Sequence, residues 1–220
     1  MIKGIIFDLD GTLLNTLESI GKAFNRSLLK MDMPVHAIDR YRYFIGDGVF
    51  NCAKRCLPSG DCNENNINKL VEIEREDYAR SWKFDAQPYN GIQTLLDSAQ
   101  GAEYRLAVLT NKDDVFAQLC IRHFFPATRF DCIVGHSPTV PHKPDPTGGL
   151  LIAEKLGLAT RELAMIGDTS IDINTAQACN MFSVGVLWGF RKMTELEEAG
   201  ANRIIQHPDQ LLEILANETI

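Results

Sequence analysis

The chain has 220 residues, 45% of them hydrophobic and 23% charged, with a formal net charge of −7. That length suits one large domain or a core with a modest insert, and the composition excludes disordered, collagenous and fibrous classes. An acidic chain with no evident basic patch is also a poor partner for nucleic acid or anionic lipid, both of which are recognised through clustered cations.

No apolar run approaches the roughly 20 residues of a transmembrane helix. The N-terminus enters a strand-like segment at once rather than a basic stretch with a cleavage site, so a cytoplasmic protein is expected. Cys52, Cys56, Cys62, Cys120, Cys132 and Cys179 are too few and too scattered for a disulfide framework. The first three lack C-x-x-C spacing and a nearby fourth ligand, which favours plain thiols over zinc.

The first element is the apolar run Ile5–Leu14, IIFDLDGTLL, which delivers two carboxylates to its own end. Residues i and i+2 of a strand share a face, so Asp8 and Asp10 are predicted to project toward one site while Leu9 points into protein. Gly11 lets the backbone turn sharply there. Alone, such a pair is equally compatible with an ordinary strand-to-loop junction.

From 15 to 87 no strand is predicted. Ile67, Leu70, Val71, Tyr78 and Trp82 recur at helical spacing and are assigned to the core of a small helical insert. Ser59-Gly60-Asp61 is read as a turn between its helices. The insert interrupts the chain just beyond the acidic loop and is placed to close over it.

Beyond Gly91 short apolar runs alternate with helical stretches. Leu106–Leu109, Ile133–Val134, Ala164–Ile166 and Phe182–Val186 read as strands. Gly91–Ala99, Val115–Phe124, Gly148–Leu156, Ile171–Ala178 and Pro208–Leu215 read as helices, with Asp114 and Thr147 as candidate N-caps. This alternation predicts an α/β fold with a doubly wound, mainly parallel sheet. The expected division is a core of 1–14 and 88–220 with a helical cap domain at 15–87.

Three later motifs fall at strand ends or in the loops beyond them, where open α/β sheets bind ligands. Leu106–Asn111, LAVLTN, supplies the Thr110 hydroxyl. His142-Lys143-Pro144-Asp145-Pro146 holds one lysine in a proline-stiffened loop, and a held cation suits a phosphoryl anion. Met165–Asp172, MIGDTSID, adds Asp168 and Asp172, hard oxygen donors of the type Mg²⁺ prefers. Asp172 is equally placed to cap the following helix.

In this order DLDGTL, LTN, the KPDP lysine and GDTSID resemble the haloacid dehalogenase-like hydrolase superfamily over essentially the whole chain. The resemblance implies a Rossmann-like core with an inserted helical cap and chemistry through an aspartyl-phosphate. It casts Asp8 as nucleophile and Asp10 as proton donor and then base. Mg²⁺ would be held by Asp8, the Asp10 carbonyl and Asp168, with Asp172 supporting. Thr110, Asn111 and Lys143 would hold the phosphoryl oxygens beside Gly11 and Thr12. Dehalogenases of the superfamily lack an acid at the position of Asp10, so phosphoryl transfer is favoured. Asn15 and Thr16 depart from the aspartate and serine that many relatives carry, which bears on the hinge rather than on the reacting groups.

Substrate choice is assigned to the cap, where Tyr43-Phe-Ile-Gly46-Asp47-Gly48 resembles the cap loop of the phosphoglycolate phosphatase group. Gly185–Phe190 and Pro88–Gly91 are also similar to that group. The implied substrate is a small phosphorylated metabolite, 2-phosphoglycolate first, acted on by a monomer or homodimer. A β-phosphoglucomutase-like mutase, a pyrophosphatase or nucleotide phosphatase, and a non-catalytic binder of phosphorylated ligands are the alternatives. Gly167 before Asp168 favours hydrolysis over the mutase.

Overall fold

The computed structural model describes residues 1–218. At its centre lies β1 (Gly4–Phe7), every residue of which is buried, as a strand covered on both faces requires. Ile5 and Phe7 feed one hydrophobic layer and Ile6 the opposite one, the period-2 alternation of a pleated strand.

The remaining core strands are β4 (Arg105–Asp113), β5 (Cys132–His136), β6 (Leu163–Gly167), β7 (Phe182–Val186) and β8 (Arg203–Ile205). They form one sheet in the order β5-β4-β1-β6-β7-β8. Every pairing is parallel, with Phe7 between Val108 and Ile166. Strand order therefore runs outward in both directions from β1, and the ends of β1, β4 and β6 surround the crevice that such a reversal creates.

Helices α4 (Ile92–Gly101), α5 (Asp114–Phe124), α6 (Thr147–Leu156), α7 (Ser170–Ala178) and α9 (Gln210–Asn217) lie within one or two residues of the predicted starts and stops. The capping differs. Asp113 and Pro146 occupy the N-cap positions. Asp114 instead accepts a hydrogen bond from the Gly135 amide at 2.9 Å, tying α5 to β5, and Asp145 accepts from the Thr147 amide. The strand β8 and helix α8 (Met193–Glu198) were not anticipated, because each is short and only weakly patterned.

The insert holds α1 (Leu17–Leu29), a 3₁₀ turn (Ile38–Tyr43), α2 (Val49–Cys56) and α3 (Glu64–Ser81). Phe24, Leu28, Tyr41, Cys56 and Leu70 build a second hydrophobic core there. Asn63 caps α3 by accepting from the Asn66 amide, and the turn at 59–61 separates α2 from α3. At the two crossings between core and insert, β2 (Leu14–Asn15) and β3 (Gln87–Pro88) pair antiparallel. This ladder places a short strand at both limits of a segment expected to hold none. All six cysteines are free thiols.

Candidate active site

Asp8 follows β1 directly, and its amide donates to the Ile166 carbonyl at 2.9 Å, so the sheet ladder itself fixes the residue. Its carboxylate meets the Lys143 ammonium at 2.8 Å. Asp10 accepts from the Thr16 hydroxyl at 2.8 Å and, through both carboxylate oxygens, from Lys112 Nζ at 2.9 Å. Both acids line one cavity, as the i, i+2 spacing predicts. Gly11 turns the chain between them and the cap at φ 91°, and a Cβ there would stand 2.4 Å from an Asp168 carboxylate oxygen.

Asp168 is fully buried at the end of β6. It accepts from the Phe190 amide at 2.7 Å and from the Thr12 hydroxyl at 3.3 Å. Thr12 thus spends its side chain on Asp168, and its carbonyl accepts from the Trp188 indole N–H. Asp172 fills the capping role and adds a second, a pair with Lys143. It closes the capping box of α7 through the Thr169 amide and hydroxyl, and it pairs with Lys143 at 2.6 Å.

Carboxylate oxygens of Asp8, Asp168 and Asp172 lie within 4.8 Å of one another. Burial pushes the Asp8 carboxyl up to about 7 against the pull of Lys143. Burial, followed by the charges of Asp172 and Asp8, holds Asp168 well above the usual carboxylate range. Desolvation opposes the Lys143 charge, but Asp172 and Asp8 together outweigh it and raise the ammonium above its ordinary value. Crowded buried carboxylates of this kind, all offering oxygen donors, match what Mg²⁺ takes.

Thr110 ends the apolar part of β4 and lines the cavity. The Asn111 side chain acts as a pin: its Oδ1 accepts from the Lys143 amide at 2.6 Å, while its Nδ2 donates to the carbonyls of Lys143 at 3.2 Å and Gly46 at 2.9 Å. One amide thereby holds both the lysine loop and the cap loop. Arg191 donates to the Ile45 carbonyl, Arg42 to the Gly189 carbonyl, and Arg75 pairs with Asp113, so the cap is seated on the core. Gly46 and Gly48 reach the cavity, but Asp47 does not, because its carboxylate is engaged by Arg55.

The cavity holds about 90 Å³. Four residues outside the predicted site matter here. Lys112 is buried against Asp10. Glu74 and Tyr78 stand one turn apart on α3 and face the cavity. Arg191, beyond it, braces the cap loop. Glu74 carried a legible signal, since a glutamate falls on the same helical face as Leu70, Val71 and Tyr78, where charge is unusual. Tyr78 is core, as expected, yet it also lines the cavity, and its buried hydroxyl has no hydrogen-bond partner.

An acid pair at the end of the central strand, faced by a held lysine and covered by helices, defines a phosphoryl-transfer hydrolase built on a parallel α/β core. Residues 5–186 match the haloacid dehalogenase-like hydrolase family, and the chain belongs to it. It is an enzyme, a phosphatase of that family. The phosphoglycolate phosphatase of Nitrosospira multiformis is 26% identical over 93% of this chain and 91% of its own. That of Aquifex aeolicus is 26% identical over 100% and 99%. Among solved structures, one from Lactobacillus delbrueckii subsp. bulgaricus superposes with a TM-score of 0.93 at 26% identity, covering 98% of this chain and 99% of its own. Among the described residues no helix is long and apolar enough to cross a membrane.

Proposed function

We propose that this phosphatase is Mg²⁺-dependent, works through an aspartyl-phosphate on Asp8, and has 2-phosphoglycolate as its substrate. Asp8 and Asp10 facing one small capped cavity, each beside its own buried lysine, carry the reading. Asp8 attacks phosphorus, so that an Asp8 oxygen–phosphorus bond forms while the ester oxygen departs with a proton from Asp10. Water then attacks the phosphorus and gives a proton back to Asp10, which releases Asp8 and inorganic phosphate.

Asp8, Asp168 and the Asp10 carbonyl would hold Mg²⁺, with Asp172 within reach of the same set. Bound there, it would offset the repulsion between an anionic nucleophile and an anionic substrate. Thr110, the Asn111 backbone and Lys143 hold the oxygens of the transferring group, and Lys143 is itself oriented by Asp172. The seated cap keeps bulk water from the reacting atoms.

The names of the relatives and the small cavity support the substrate. The net charge of −7 agrees with a cytoplasmic enzyme that has no nucleic-acid or membrane partner, and we propose that it acts as a monomer or homodimer. The test is a panel of phosphate esters with and without Mg²⁺. Hydrolysis of 2-phosphoglycolate that needs the metal and is lost in Asp8→Asn supports the reading. Interconversion of glucose phosphate isomers, or activity retained in Asp8→Asn, contradicts it.

A further inference from the structure

Beyond the phosphoryl site the cavity continues between core and cap. Its walls there are largely apolar, formed by Ile20, Phe24, Ile45 and Phe116. Among the polar groups there, two have been given no contact with substrate. One is the Tyr78 hydroxyl, which is buried in a residue only 4% exposed and has no hydrogen-bond partner. A buried hydroxyl without a partner costs free energy that a ligand can recover. The other is Lys112, whose ammonium lies 5.0 Å from the centre of the Tyr78 ring. Two of its three N–H groups are matched by the two oxygens of Asp10, which leaves one donor for another acceptor.

We infer that Lys112 and Tyr78 form the subsite for a carboxylate carried by the leaving group, a short distance beyond the ester oxygen. This rests on the reading that the Asp8 end binds the phosphoryl group. A monoanion suits the site because Lys112, paired with Asp10 alone, is the cation that faces this end, while Arg75 pairs with Asp113 and Lys143 with Asp8 and Asp172. The cavity of about 90 Å³ admits a fragment of a few heavy atoms. Of the two further acids lining this part of the cavity, Asp113 is paired with Arg75, and Glu74 is held largely neutral near pH 7 by burial.

Tyr78 belongs to the cap and Lys112 to the core, so the subsite is complete only when the cap is seated. A leaving group of the right charge therefore helps to close the enzyme over itself, which couples selection to catalysis.

The test compares 2-phosphoglycolate with 2-hydroxyethyl phosphate, an ester of similar size that lacks the charge. Both kcat/KM in Mg²⁺ and equilibrium binding to the Asp8→Asn protein are measured. Wild type is expected to favour the acid by about 100-fold, Tyr78→Phe to cut that ratio about tenfold and Lys112→Met to remove most of it, as for hydrogen bonds to charged groups. Lys112→Arg is expected to keep part of the preference. Tyr78→Phe retains the ring and its packing, so it tests the subsite even where Lys112→Met fails to fold. A wild type that binds and turns over both esters alike, or a Tyr78→Phe ratio equal to wild type, overturns the subsite while leaving the phosphatase reading intact. Loss of Mg²⁺-dependent hydrolysis for every ester, with the acid still bound preferentially, overturns the reading of the chemistry and supports the subsite.

Discussion

Asn111 Nδ2 donates to the Gly46 carbonyl at 2.9 Å while the same amide group accepts from the Lys143 backbone at 2.6 Å. Cap seating and lysine placement thus share one side chain. Asn111→Ala removes both connections, and since a buried hydrogen bond contributes about 1 kcal/mol and an orphaned partner costs more, kcat/KM is expected to fall by roughly 10–100-fold. Faster proteolysis of the cap in the variant would accompany it. Steady-state kinetics with normal values would show that Asn111 holds neither loop in a way that matters.

Glu74 sets a pH limit on stability. Burial raises its carboxyl from 4.5 to about 8, against the charges of Lys112 and Arg75 and with those of Asp113 and Asp77. The folded protein keeps this proton up to about pH 8, whereas the unfolded chain releases it near its ordinary value, so stability declines as pH rises between the two. Glu74→Gln removes the penalty. Its Tm is expected to exceed wild type by roughly 5 °C or more at about pH 8.5 and to differ little at about pH 5. Parallel Tm-against-pH curves for the two proteins would contradict the assignment.

Gly48 sits at φ +95°, and an added Cβ would stand 2.4 Å from His142 Nε2. The cap loop therefore depends on a close approach to the lysine loop. Gly48→Ala is expected to lower kcat/KM by about tenfold or more while the core remains folded, because a 1 Å displacement near reacting atoms is enough for such losses. Wild-type kinetics in the variant would mean that the cap seats elsewhere during turnover.

Asp8, Asp168 and Asp172 bring three buried carboxylates to one point, and Lys143 pairs with only two of them. Mg²⁺ is expected to raise Tm by an amount that grows with the logarithm of its concentration above Kd, since a ligand bound only by the folded state stabilises it. Asp168→Asn is expected to abolish most of that increase. A Tm unmoved by millimolar Mg²⁺ in the wild type would argue against a resident divalent ion.

The core sheet and its acids were legible because their signals are local. Ile5–Phe7 announce a buried strand by composition, and Asp8, Asp10, Thr110 and Asp168 stand where such strands end. What escaped was set by contacts across the chain. Lys112 meets Asp10 across 102 positions, and nothing near Lys112 distinguishes it from a surface lysine. Tyr78 reads as helix core alone until the cap is laid on the core, and Glu74 is marked only by sharing its face. Asp47 looked like a cap-loop ligand, but Arg55, two turns along α2, claims its carboxylate. Asp172 showed the limit of spacing alone, since one side chain fills both the capping and the lysine-orienting roles.

The most direct test of the chemistry is rapid acid quench of the enzyme turning over 2-phosphoglycolate labelled in its phosphoryl group, followed by peptide mapping. The account predicts label on the peptide containing Asp8, formed and lost at rates compatible with turnover and absent in Asp8→Asn. Turnover at the full rate with no label on that peptide, or with label on another residue, would contradict it.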